Sequence, residues 1–128
     1  MDTRYSEDHY WVRRRPNTDV VTVGLSVFAQ QELGEVTFLQ LPEIGARVER
    51  DQPVCAIESL KSASEIYAPV SGIIESINED LGDAAGLALL NSDPLGGGWL
   101  FSMHMEEPTE FDALLDPEEY SRRTASGE

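Results

Sequence analysis

Lys61 is the only lysine in a chain that carries eight arginines. Its neighbours Ser59, Leu60, Ser62 and Ala63 are mostly small or polar, so the side chain is expected to project freely. A free lysine ionises near pH ~10.4 and is a poor nucleophile at neutral pH. Nothing nearby in sequence would desolvate the amine and activate it for Schiff-base work. A protruding, unactivated amine suits covalent modification by another enzyme; the plain alternative is a solvated surface charge.

The rest of the chain offers little for catalysis. Its two histidines, His9 and His104, belong to no visible Ser-His-Asp or Cys-His arrangement. His104 reads as a satisfied strand residue. His9 stands beside Tyr10 and Trp11, where it either contributes to a cleft or packs. Glu106-Glu107 and Glu118-Glu119 read as solvated helix-cap charges. Gly96-Gly97-Gly98 is followed by Trp99 rather than by Lys and Ser/Thr, so it is no phosphate loop. Cys55 lies between Val54 and Ala56 and reads as a small buried hydrophobe. A lone cysteine excludes an internal disulfide framework and a multi-thiolate zinc site. No catalytic set and no metal set is expected.

The elements that must position Lys61 are mostly strands. Pro53 to Glu58 and Ser64 to Val70 read as the two arms of a hairpin with Lys61 near its tip. Asp19 to Leu25 alternates and is rich in valine, and Gly72 to Ile77 and Trp99 to Met105 also read as strands. Glu35 to Leu41 reads as a strand apolar on both faces. Ala46 to Glu49 is a short extended piece. Ser26 is a good N-cap for a short helix, and Gly34 is its stop. Pro108-Thr109 opens a helix through Leu115. Asp116-Pro117-Glu118-Glu119 opens another, with Asp at the N-cap and Pro at the first position. No regular element is assigned to residues 3–16, and Asn78 to Gly98 reads as loop. The tail from Thr124 is expected to fray. A faint repeat, Leu41-Pro42 with Gly45 and Val48 against Ala68-Pro69 with Gly72 and Ile74, flanks the hairpin.

The 128 residues predict a single domain, 1–128, and 41 % hydrophobic content is enough for a real core. With 24 acidic against 9 basic residues, the formal charge is −15. Such a surface repels phosphate backbones and anionic membranes, which leaves nucleic acid and membrane as poor partners and basic proteins as better ones. No apolar run approaches the ~18 residues of a membrane span, and the N-terminus does not read as a signal peptide. A cytoplasmic monomer is expected.

Residues 58–72, ESLKSASEIYAPVSG, resemble the lipoylation segment of the glycine cleavage H-protein family. Val23-Gly24-Leu25-Ser26 with Gly34-Glu35-Val36 resembles that family's first helix. Leu41-Pro42-Glu43-Ile44-Gly45 is similar to its turn, and Gly98-Trp99 to its late Gly-Trp. Biotinyl carriers share the hairpin but set methionines about the lysine, whereas Leu60 and Ser62 stand here.

The resemblance implies a mainly β fold, the barrel-sandwich hybrid or flattened β-barrel, with a short helix in the N-terminal half and a C-terminal helical segment about 108–123. The lipoyl hairpin would span about 53–70. It implies lipoic acid in amide linkage to Lys61, with Glu58, Ser59, Leu60 and Ser62 read by the lipoylation enzymes, and His9 and Tyr10 as cleft residues. Such a chain is a carrier and a substrate of its partners, not an enzyme. The partners implied are glycine decarboxylase, aminomethyltransferase and dihydrolipoamide dehydrogenase. A second branch of the resemblance is the lipoate-binding carrier of sulfur intermediates, served by a heterodisulfide-reductase-like complex. Two departures bear on the choice. Tyr10 stands where the family has Glu and cannot match a carboxylate's charge-assisted hydrogen bond to a cationic amine. Gly96-Gly97 stands where an acidic pair is usual.

Overall fold

The computed structural model describes residues 2–125. Residues 3–16, without an expected element, contribute to two paired strands, β1 (Asp2–Tyr5) and β2 (Tyr10–Arg14). Next come β3 (Val20–Leu25), helix α1 (Val27–Leu33), β4 (Val36–Gln40) and the two-residue β5 (Arg47–Val48). The hairpin is β6 (Pro53–Ser59) and β7 (Ala63–Tyr67), and β8 (Gly72–Ile77) follows. A 3-10 turn (Glu79–Gly82) leads into α2 (Ala84–Ser92). The chain closes with β9 (Phe101–Met105), α3 (Thr109–Asp112) and α4 (Pro117–Ala125).

The strands form two sheets, one ordered β1-β2-β3-β9-β8-β5 and the other β4-β6-β7. They enclose one core, as the flattened-barrel expectation required, but no ladder among the described residues closes them into a continuous barrel. The valine alternation explains the larger sheet. Val21, Val23 and Leu25 are buried and stand opposite Arg14, Val12 and Tyr10. Phe101 and Met103 extend that layer from β9. Each such side chain fully withdrawn from water contributes about 1.5–3 kcal/mol.

The outer face of this sheet is also covered in part. Trp11 is 1 % exposed and lies across Gly24, where a Cβ would collide with the indole. Its Nε1–H donates to the Pro94 carbonyl at 2.8 Å. Glycine at 24 is therefore a space requirement for the tryptophan, met on the β3 position opposite it.

Several expectations need correction. Asn78–Gly98 is largely helical, not loop. Asp83 caps α2, its Oδ1 accepting from Gly86 N–H at 2.8 Å. Ala84–Leu90 has no polar stripe, so no helical period shows in its pattern. This helix matters, because Asn91 acts as a two-pronged clip on β4. Its Oδ1 accepts from Val36 N–H at 2.9 Å, and its Nδ2 donates to Val36 O at 3.2 Å.

Strand β4 is not apolar-buried on both faces, since Phe38 is 47 % exposed. The second hairpin arm ends at Tyr67, short of Val70, and α3 is four residues long rather than running from Pro108 to Leu115. Asp116 caps α4 as expected: its Oδ1 accepts from Glu119 N–H at 2.8 Å, and that bond draws its carboxyl below the ordinary value. Helix α4 extends through Ala125, past the expected fraying point at Thr124; residues 126–128 lie outside the described part. The two copies of the faint repeat meet one another: Gly45 N–H donates to Ile74 O, and Ile74 N–H to Ala46 O.

Candidate functional site

The β6–β7 register pairs Glu58 with Ala63 and leaves Ser59–Ser62 to make the turn. The turn has no Asn-Gly; serine takes that role. Ser59 N–H donates to Ser62 O at 2.8 Å, and the N–H groups of Lys61 and Ser62 both donate to Ser59 Oγ at 3.2 Å. A serine hydroxyl closing its own turn stabilises a tip that glycine does not. Leu60 N–H donates to Glu35 O at 3.1 Å, which ties the tip to the segment leaving α1. Leu60 itself is 74 % exposed, and Glu58 and Ser62 are exposed beside it.

Lys61 is exposed, as expected, but its stem does not project freely. It lies across Gly34, where a Cβ would come 3.3 Å from Lys61 Cε and 3.6 Å from Cδ. Gly34 also has φ of 78° and ψ of −153°, a region essentially reserved for glycine. One residue thus ends α1 and makes room for the lysine stem.

A cleft of about 160 Å³ opens beside the hairpin. Phe28, Leu33, Ile57 and Ile66 form apolar walls, and Asp8, Glu32 and Glu65 supply carboxylates. His9 and Tyr10, both expected in a cleft, are in this one. Tyr10 is 6 % exposed; burial raises its phenol above the ordinary value, and a hydrogen bond with the Tyr67 backbone works against that rise. The phenol stays neutral at physiological pH. Asp8 is also raised, first by burial and then by the charges of Asp51 and Glu7, while His9 pulls the other way.

His9 is held by residues far away in sequence. Its φ is 70°, its ring lies 4.2 Å from Phe28, and its Nδ1 is 3.0 Å from the Tyr120 hydroxyl. That hydroxyl is also 2.9 Å from Ser26 Oγ. Ser26 Oγ in turn accepts from Ala29 N–H at 3.1 Å and caps α1. The Tyr120 ring stacks on Tyr5 at 4.1 Å. Helix α4 therefore pins both the N-terminus of α1 and one wall of the cleft. Sequence reasoning missed Tyr120, Phe28 and Glu32. A lone tyrosine in an acidic C-terminal helix carries no local signal that it bridges to Ser26.

Cys55 is buried in β6 at 4 % exposure, and burial pushes its thiol up to about 12. His104 is exposed on β9, and no metal-capable cluster of His, Cys, Asp and Glu occurs among the described residues.

The sequence pattern of the glycine cleavage H-protein family matches residues 3–126. The chain belongs to that family. Glycine cleavage system H proteins of Bacillus cereus (strain AH187) and Bacillus anthracis (strain A0248) are each 41 % identical over 121 residues, covering 94 % of this chain and 92 % of theirs. The crystal structure of a glycine cleavage system H protein from Mycobacterium marinum superposes with a TM-score of 0.82 at 34 % identity, covering 97 % of both chains. These relatives support the glycine-cleavage branch and lend nothing to the sulfur-carrier one. H proteins are lipoyl carriers, and the architecture here is the barrel-sandwich hybrid of that family. No helix of the described residues is long and apolar enough to cross a membrane.

Proposed function

We propose that this H protein carries lipoic acid in amide linkage to Lys61 and serves as the mobile carrier of glycine decarboxylation. The observation that carries the reading is the placement of the chain's only lysine. Lys61 is exposed at the tip of a hairpin whose turn is closed by its own serine, with its stem seated on Gly34. An amine so presented is reachable by a modifying enzyme, and Glu58, Ser59, Leu60 and Ser62 form the surface that enzyme would read.

The residues present fit the group. A linear apolar arm on Lys61 has an apolar cleft on the same hairpin, lined by Ile57 and Ile66 from its two strands, and the cleft holds carboxylates. When attached, lipoate supplies reversible thiol–disulfide chemistry. The protein's own residues do the positioning. Phe28, Leu33, Ile57 and Ile66 offer the arm apolar walls, and Tyr10 stays neutral among them. Asp8, Glu32 and Glu65 attract a cationic amine by charge-assisted hydrogen bonding, so Tyr10 need not supply the charge itself. Glycine decarboxylase, aminomethyltransferase and dihydrolipoamide dehydrogenase are the partners of this reading, and the chain has no turnover of its own.

Intact mass tests it. Co-expression with a lipoate ligase and lipoate should add one lipoyl group to the chain and none to Lys61→Arg, with the same denaturation midpoint for both. An unmodified wild-type chain, or a lipoyl group retained by Lys61→Arg, would overturn the assignment.

A further inference from the structure

Trp11, Arg13 and Arg15 stand on the outer face of the six-stranded sheet, on the side of β2 opposite Tyr10 and Val12. They line a groove of about 350 Å³ with Thr22, Ser102 and Trp99. The ladder register explains the lining. Arg13 pairs with Thr22, Thr22 with Ser102, and Ser102 with Ser76, so a row of hydroxyls crosses three strands from the guanidinium. Gly96 forms part of the rim, where the family resemblance would place acid.

Among the described residues no carboxylate lines this groove, in a chain with 24 acidic residues; the nearest to its rim is Asp93, which lies behind Gly96 and accepts from Gly97 N–H. The arginines sharpen the contrast. Arg14 pairs with Asp19, Arg47 with Glu106, Arg50 with Glu110, Arg122 with Glu118 and Arg123 with Glu7. Arg4 donates to the Leu114 carbonyl. Among the arginines of the described residues, only Arg13 and Arg15 have neither a carboxylate nor a carbonyl partner for the side chain. Arg13 is held in place all the same, its guanidinium 4.1 Å above the Trp11 indole. Stacking fixes the plane of the guanidinium and leaves its N–H edge for a ligand.

We propose that this groove is a docking site for an acidic segment of a protein partner, bound through Arg13 and Arg15. Arg13 and Arg15 are two positions apart, with Arg14 between them, a backbone span of about 6.6 Å in extended chain. Carboxylates at alternate positions of an extended acidic peptide repeat at that same span. The half-buried Thr22 hydroxyl is the one offered to the peptide's polar groups, since the Ser102 hydroxyl is buried and paired with that of Ser76. This surface is independent of Lys61, and its test needs no lipoyl group.

Both tryptophans of the chain, Trp11 and Trp99, line the groove, so intrinsic fluorescence reports on it directly. The full-length protein would be titrated at low salt with a capped peptide of alternating glutamate and threonine. The controls are the same peptide with glutamine for glutamate, and inorganic phosphate. A saturable emission change with the glutamate peptide is expected, weakening as salt rises to physiological strength. Roughly tenfold weaker binding is expected for Arg13→Gln and for Arg15→Gln. Arg13→Gln also removes the stack on Trp11; Arg15→Gln removes charge alone, and it decides the matter if the first variant loses stability. No saturable change, equal binding of the glutamine peptide, or undiminished binding to Arg15→Gln would overturn the proposal. Tighter binding of phosphate than of peptide would overturn the acidic-peptide identity of the ligand.

Discussion

The two sides of β2 carry opposite electrostatics only one residue apart. Tyr10 and Val12 turn inward, and the cleft on their side holds Asp8, Glu32 and Glu65. Trp11 and Arg13 turn outward, and among the described residues the groove on their side is lined by two arginines and no carboxylate. A net charge of −15 describes the long-range field of the molecule and conceals this division. Local potential depends on which side chains share a strand face, and alternation along β2 separates them. The hairpin side is apolar with an acidic rim, suited to a tethered arm with cationic cargo. The outer side is aromatic and basic, suited to an anion.

Substitutions can break one side while sparing the other. The largest effect is expected from Trp11→Ala, which empties a fully buried site against Gly24; a loss of about 3–5 kcal/mol should appear in urea denaturation. On the hairpin side, Gly34→Ala places a side chain in a backbone region costing about 1–3 kcal/mol and presses on the Lys61 stem. Denaturation should show that loss, and lipoylation should slow without changing the tryptophan emission. Ser26→Ala removes the α1 cap and one partner of Tyr120, for about 1 kcal/mol. NMR should then show the His9 ring resonances shifted and the Trp99 indole unmoved.

The smallest effect is expected at Asp8. Its carboxyl is raised in the fold, so the folded chain takes up its proton more readily than the unfolded chain. The favourable contribution is complete at acid pH and lost as pH rises through the folded value. Asp8→Asn should therefore raise Tm slightly at neutral pH. The gain should vanish near pH ~3, where the wild-type carboxyl is already protonated.

What could be read in advance follows from the range of the contacts. Val21, Val23 and Leu25 announce β3 by alternation, and Ser26 and Gly34 bracket α1 by their capping chemistry. Lys61 and its turn are legible because the determinants, Ser59 and Ser62, are adjacent in sequence. Helix α2 is not legible, because Ala84–Leu90 lacks the polar face from which a helical period is recognised. Nor are β1 and β2: Arg13, Arg14 and Arg15 read as a charged segment, although alternation sends their side chains to different faces. The cleft wall depends on Tyr120 reaching Ser26 and His9 across most of the chain, and no local pattern encodes that contact. Gly24 shows the same limit, since its reason is the indole of Trp11 on the neighbouring strand.

Cys55 lies in β6, on the strand that leads to the Lys61 tip. A tethered disulfide is vulnerable to exchange with any thiolate within reach, and the product would be a cross-link between arm and carrier. Burial at 4 % exposure, with the thiol pushed up to about 12, leaves this cysteine neither accessible nor ionised at neutral pH. The sole thiol of the chain is thus insulated from the redox chemistry that a lipoyl group at Lys61 would bring to its neighbourhood.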